Sequence, residues 1–276
     1  MRKYLVPLIL FLATVLTTLF AGALQQGINL FNEPFRIWEG YPFSVSIMTI
    51  LLGHEMGHFF ASKVHRTKAT LPYFIPAPSI IGTFGAFIKM KSPIFTRKAL
   101  IDIGATGPLV GFFLSIIACI IGLRMSKVVP LTMQGDDFFM LGDSILFSLL
   151  VKFILGEVSA PYDVLLSPVA FAGWIGLFVT SMNLIPVGQL DGGHIAYALF
   201  GRYHFYISRG FVFIIVLLGI FYWHGWLVWA ALLLFLGLDH PPILVWEYKL
   251  SLSRRIIGMV SFLIFIITFV PAPFKF

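Results

Sequence analysis

The chain has 276 residues, of which 59% are hydrophobic and only 11% charged, with a formal net charge of +7. Soluble domains carry roughly 25% charged residues, so a soluble globular fold is excluded and a polytopic helical membrane protein is expected. In a soluble chain the positive charge would suggest nucleic acid. Here Lys and Arg collect in a few loops, so the charge reports topology and no nucleic-acid partner is expected. The single cysteine, Cys119, lies in an apolar run, which leaves no disulfide framework and no cysteine-based metal site.

Met1-Arg2-Lys3 precede an apolar run from Tyr4 to about Leu24. The basic start and Ala21-Gly22-Ala23 fit a secretory signal, but the run is longer than the usual apolar region of one, so a retained first span is expected. Gln25 to Tyr41 reads as a loop. A second span from about Pro42 to Ala61 carries Leu51-Leu52-Gly53-His54-Glu55-Met56-Gly57-His58-Phe59-Phe60. Ionisable groups inside a membrane span are costly and read as functional. His54 and His58 are four apart, so a helix puts them on one face as two metal ligands, with Glu55 beside them as a base for a water. The alternative is a pair of helix-packing histidines next to a buried neutral Glu.

Lys63 to Lys98 is basic and interrupted by Pro72, Pro76, Pro78 and Pro93, which argue against a long helix. Within it Gly82-Thr83-Phe84-Gly85-Ala86-Phe87-Ile88-Lys89-Met90 has the composition of a short membrane-associated strand or hairpin. A third span runs from about Ala99 to Leu123, with Gly104, Gly107, Pro108 and Gly111 suited to close helix contact. Arg124 to Tyr162 is a loop whose Ser144–Leu155 run is too short to span and reads as an interfacial helix. A fourth span starts near Ser167. It should break at Pro186 and Gly188, with a new helix from about Asp191 towards Phe200. Further spans are expected at about Phe205–Tyr222, Leu227–Leu238 and Ile256–Val270.

Seven spans with an inner N-terminus place Arg2, Lys3, Lys63, Arg66, Lys68, Lys89, Lys91, Arg97, Lys98, Arg202, Arg209, Lys249, Arg254 and Arg255 inside. Arg36, Arg124, Lys127, Lys152 and Lys275 fall outside, which satisfies the positive-inside rule. A cleaved first run, leaving six spans, keeps the same arrangement. The ends of spans two and four that carry His54, His58 and Asp191 then lie towards the cytoplasmic side.

A hydrolytic zinc site takes three protein ligands and an open position. Asp191 is the best third ligand by depth; Asp239 and His240, in Gly237-Leu238-Asp239-His240-Pro241-Pro242, are the rivals. Bare carboxylates at Glu55 and Asp191 would be strongly disfavoured in apolar surroundings, and a divalent cation offsets them. Asp191 also suits the N-cap of the helix that follows.

His54-Glu55-Met56-Gly57-His58 together with Asn183-Leu184-Ile185-Pro186 and Leu190-Asp191-Gly192 resembles the site-2 protease family of intramembrane zinc metalloproteases. Gly104-Ala105-Thr106-Gly107-Pro108-Leu109-Val110-Gly111 looks like that family's third-span segment, and Gly82–Met90 like its membrane-associated strand. The Asn183–His194 stretch and Gly237–Pro242 are most similar to a branch found in plastids, cyanobacteria and other bacteria. The resemblance implies one zinc ion on His54, His58 and Asp191, Glu55 as catalytic base, and Asn183 steadying the tetrahedral intermediate. It also implies cleavage of a transmembrane helix of a membrane-protein substrate in the bilayer, near the cytosolic face. An exposed edge at Gly82, Thr83, Phe84, Gly85, Ala86, Phe87 and Ile88 would capture the unwound substrate by strand addition. A re-entrant packing loop is the alternative there. His194 has no family role; a supporting or helix-packing histidine is expected. No loop has room for a PDZ domain, so residues 1–276 are expected to form one membrane-embedded protease domain. The competing readings are a metal transporter built on the same histidines, and an inactive helix-binding relative. A transporter would need polar groups through both leaflets, whereas the ionisable cluster sits towards one side. The intact Glu55 and ligand set count against an inactive relative. The sequence does not fix the oligomeric state.

Overall fold

The computed structural model describes residues 2–130, 140–247 and 249–275. It is mostly helical, with a few short strands. Apolar runs with few breakers form α1 (Arg2–Gln25), α2 (Tyr41–Val64), α3 (Arg97–Met125), α4 (Ile145–Leu155), α5 (Pro168–Asn183), α6 (Asp191–Phe200), α7 (His204–Phe221), α8 (Gly225–Leu236) and α9 (Leu252–Thr268). Among the described residues three stretches are long and apolar enough to cross a membrane: Tyr4–Gln25, Arg97–Met125 and Asp191–Phe221. The last joins α6 and α7 through a 3-10 turn at Gly201–Tyr203, where a shorter fifth span from about Phe205 was expected. α2 has the length, but its His54, Glu55 and His58 lower its hydropathy, and it is not among the three. α4, α5 and α8 are apolar and shorter.

The described residues divide into two compact units: Met1–Ser92 with Val110–Met133 and Leu150–Leu177, and Pro93–Leu109 with Gln134–Leu149 and Phe178–Phe276. In the first, Pro42 sits in the opening turn of α2, where its missing N–H costs nothing. α1 meets α2 closely. The Thr18 and Ser44 hydroxyls are 2.7 Å apart, and a side chain at Gly22 would strike Gly40 and Phe43. Gly122 and Gly173 let α3 and α5 approach backbone to backbone, and Gly176 packs on Ile50 of α2 and Ser115 of α3. The expected strand region holds β1 (Tyr73–Pro76) and β2 (Thr83–Phe87) as an antiparallel pair, with Tyr73 opposite Phe87 and Pro76 opposite Thr83. Gly82 and Ile88 flank β2 rather than belong to it. Gly82 has φ +77° and lies against the backbone of Thr17 and Thr18, and the Thr17 hydroxyl donates to its carbonyl at 2.6 Å. A second pair, β3 (Lys127–Pro130) and β5 (Tyr162–Leu165), closes the loop after α3.

The second unit has its own core of Met182, Ile185, Val187, Val212, Ile215, Trp226, Ala230 and Leu233. Pro186 and Gly188 break the chain after α5 as expected, and α6 starts at Asp191. Gly192 and Gly193 lie against the carbonyls of Leu184, Ile185, Val187 and Gly188, so the connecting turn folds over the start of α6. Ser208 of α7 holds this turn, accepting from the Gly188 N–H at 3.3 Å and donating to the Leu238 carbonyl at 2.8 Å. At the far end of α6 the Arg97 guanidinium donates to the Ala198 and Leu199 carbonyls, satisfying a helix C-terminus. β4 (Met140–Leu141) pairs with β6 (Phe274–Lys275).

Candidate metal centre

α2 carries the first half of the donor set. His54, Glu55 and His58 are 5%, 5% and 6% exposed, so three ionisable side chains are buried on one helix. Their spacing does what a helix demands. The two imidazoles lie one turn apart, edge to face, with ring centroids 4.8 Å apart and the two Nε2 atoms 3.1 Å apart. Two zinc–nitrogen bonds of about 2.0–2.1 Å at a tetrahedral angle put the nitrogens about 3.3 Å apart, so the observed spacing fits a shared ion. Gly111 of α3 makes room for this ring. A Cβ there would stand 3.0 Å from His54 Nδ1 and 3.4 Å from His54 Cβ. The sequence marked Gly111 only as a packing residue; nothing local in it signals which side chain it faces.

In the second unit Asn183 is the last residue of α5 and Asp191 the first of α6, both half-buried. The N-cap of α6 is Leu190, in extended conformation, so the capping role considered for Asp191 falls away. Asp191 lies in the first turn, where the positive end of the helix dipole favours a carboxylate. By residue type, His54 and His58 on α2 and Asp191 on α6 supply the donors expected of the metal site. Two neutral imidazoles and one carboxylate are the ligand chemistry of a catalytic zinc site, so the residues present fit the group.

The rival ligands are engaged elsewhere. Asp239 is 67% exposed at its side chain and takes both arms of Arg209, at 3.0 and 3.3 Å. The hydrogen bond from Arg209 holds its carboxyl below the usual range. His240 Nε2 is 2.7 Å from His194 Nδ1, and its ring stacks on Tyr197 at 4.3 Å. Burial, with the neighbouring His194 second, pushes its pKa down to about 3. His194 thus packs against the Gly237–Pro242 stretch. Its pairing with His240 was invisible in sequence because the partners are 46 residues apart. β2 leaves Phe84 75% and Phe87 48% exposed, and β1 is its one strand partner among the described residues.

The family model described as Peptidase family M50 matches residues 42–222. The "Probable zinc metalloprotease EGY1, chloroplastic" of Arabidopsis thaliana is 31% identical over 230 residues, 72% of this chain and 40% of that protein. The corresponding EGY2 of Arabidopsis thaliana is 32% identical over 184 residues, 65% of this chain and 32% of that protein. The EGY1 of Oryza sativa subsp. japonica is 31% identical over 225 residues, 72% of this chain and 38% of that protein. The chain therefore spans 40% or less of the length of these curated relatives. No solved structure matches it.

Proposed function

The chain belongs to Peptidase family M50, and from that premise we propose that it is an intramembrane zinc metalloprotease acting on transmembrane helices of membrane proteins. The observation that carries the reading is the buried pair of imidazole nitrogens 3.1 Å apart, with the buried carboxylate of Glu55 next to them on α2. His54, His58 and Asp191 would hold the ion. Zinc, when bound, supplies Lewis acidity that polarises the scissile carbonyl and makes water a stronger acid. Glu55 accepts the proton of the attacking water and returns it to the leaving nitrogen. The Asn183 amide donates to the oxygen on which charge develops. Peptide bonds in a helix are shielded by their own hydrogen bonds, so the substrate must unwind locally. The Gly82–Ile88 stretch offers an edge for it, with the exposed Phe84 and Phe87 giving side-chain contact.

Seven spans complete the reading: α1, α2, α3, α5, α7, α8 and α9, with the ionisable ends of α2 and α5 towards the cytoplasmic side. Residues 1–276 act as one membrane-embedded protease domain. The transporter reading gains no support from the family match.

The test is cleavage of a membrane-embedded substrate by the purified chain, alongside zinc content by mass spectrometry. Glu55→Gln should keep its zinc and lose about 10²–10⁴ in rate, the usual contribution of a general base. Cleavage at the wild-type rate would sink the mechanism. Asp191→Ala should lose zinc; unchanged occupancy would remove Asp191 from the ligand set.

A further inference from the structure

One turn beyond His58 the chain builds a cavity of about 620 Å³, lined among others by Phe59, Lys63, Arg66, Thr67, Lys68 and Lys91. Four of these are cations. No Asp or Glu occurs between Met56 and Ile101, so no acid from this segment neutralises them. The Lys63 ammonium lies 4.3 Å over the Phe59 ring, which orders it without cancelling its charge. Lys68 and Lys91 are fixed at their backbones. The Lys91 N–H donates to the Lys68 carbonyl at 2.6 Å, the Lys68 N–H to Ser92 Oγ at 2.9 Å, and Ala69 bridges Met90.

Two further features mark the cavity as built. Thr67 is 3% exposed and its hydroxyl has no hydrogen-bond partner. Buried hydroxyls are normally paired, so an acceptor arriving from the cavity would complete this one. Arg66 has φ +55°, the only described non-glycine residue in the left-handed region. It occupies the turn that ends α2: its N–H donates to the Lys63 carbonyl at 3.0 Å and the Thr67 N–H to the Ser62 carbonyl at 2.8 Å. That is the Schellman motif, whose left-handed position is usually glycine. Arginine is strained where glycine would not be, and the turn brings it to the cavity wall.

We propose that this cavity is a binding site for a phosphate-bearing anion, a phospholipid headgroup or free phosphate. Phosphate offers a compact group with several acceptors, matched by lysines, a guanidinium and a hydroxyl donor. The cavity lies where α2 ends and where Tyr4 begins the apolar run of α1, the level at which lipid headgroups meet helix ends. The proposal is independent of the zinc chemistry, and its test reads binding rather than cleavage.

The test is the thermal midpoint of the full-length chain in a neutral detergent. The titrants are phosphatidylglycerol, phosphatidylcholine, sodium phosphate and an acidic peptide. Phosphatidylglycerol should raise the midpoint beyond phosphatidylcholine, and Lys68→Gln with Lys91→Gln should weaken that response about tenfold in concentration. Arg66→Gly removes the strain, so its unliganded midpoint should hold or rise while its response to the anion weakens. A response lost without loss of folding separates binding from stability. Stabilisation by phosphatidylglycerol alone supports the site and assigns the headgroup; stabilisation by sodium phosphate as well supports it and assigns the free anion. Equal responses to phosphatidylglycerol and phosphatidylcholine with inert sodium phosphate would overturn the proposal. So would wild-type responses in both variants, or stabilisation by the acidic peptide alone.

Discussion

Gly111 lies against His54, one of the proposed zinc ligands. The His54 imidazole is buried and its Nε2 faces that of His58, so the ring has little freedom to yield when a Cβ arrives 3.0 Å from Nδ1. Residues that orient a metal ligand from behind typically change affinity 10- to 100-fold. Gly111→Ala should therefore lower zinc affinity by about tenfold or more, as read by competition with a chelator. Wild-type affinity would mean that His54 turns without consequence. At this scale the imidazole pair on α2 was legible because its spacing is the period of a helix. Gly111 was not, because what it contacts depends on how α3 meets α2.

At the scale of an element, α6 shows the same division. Pro186 and Gly188 announced the break before it, and an acidic residue followed by glycines announced its start. The fold-back of Leu184–Gly188 onto Gly192 and Gly193 was not legible, since it depends on the close approach of two backbones. Nor was the clamp on the other side, where His240 of the Gly237–Pro242 stretch meets His194 and Tyr197 of α6. His204 of α7 faces the same ring at 6.0 Å, and the Asp239–Arg209 pair stands next along the chain. Because the pKa of His240 is pushed down to about 3, the unfolded chain takes up its proton near pH 6.5 and the folded chain does not. Above about pH 6.5 the residue is neutral in both states and costs nothing. As pH falls from there towards about 3 the unfolded state gains protons first, so stability falls. His240→Phe keeps a ring to stack on Tyr197 and removes the proton, so it should flatten the decline. Thermal midpoints between pH 7 and 4 check this; parallel curves for the two proteins would show that His240 does not contribute.

For the whole molecule the deciding pattern is charge rather than hydropathy. Among the described helices only three stretches meet length and composition together. α5, α8 and α9 have 16, 12 and 17 residues, short of the roughly 20 that cross a bilayer unaided. Hydropathy alone would therefore leave the orientation open. The proposed orientation rests on the basic loops, since a segment with Lys63, Arg66, Lys68, Lys89 and Lys91 resists transfer outward. α3 is the helix on which to test this, because its 29 residues separate Lys89 on one flank from Lys127 on the other. Both lysines are exposed, and the native Cys119 is buried. Single Lys89→Cys and Lys127→Cys proteins can thus be labelled by an impermeant maleimide over a low background. In sealed vesicles of native orientation Lys127→Cys should react at once and Lys89→Cys only after the membrane is opened. The reverse pattern would invert the orientation and put the α2 end of the zinc site outside. Labelling of both from one side would mean that α3 does not span, and the seven-span arrangement would fail with it.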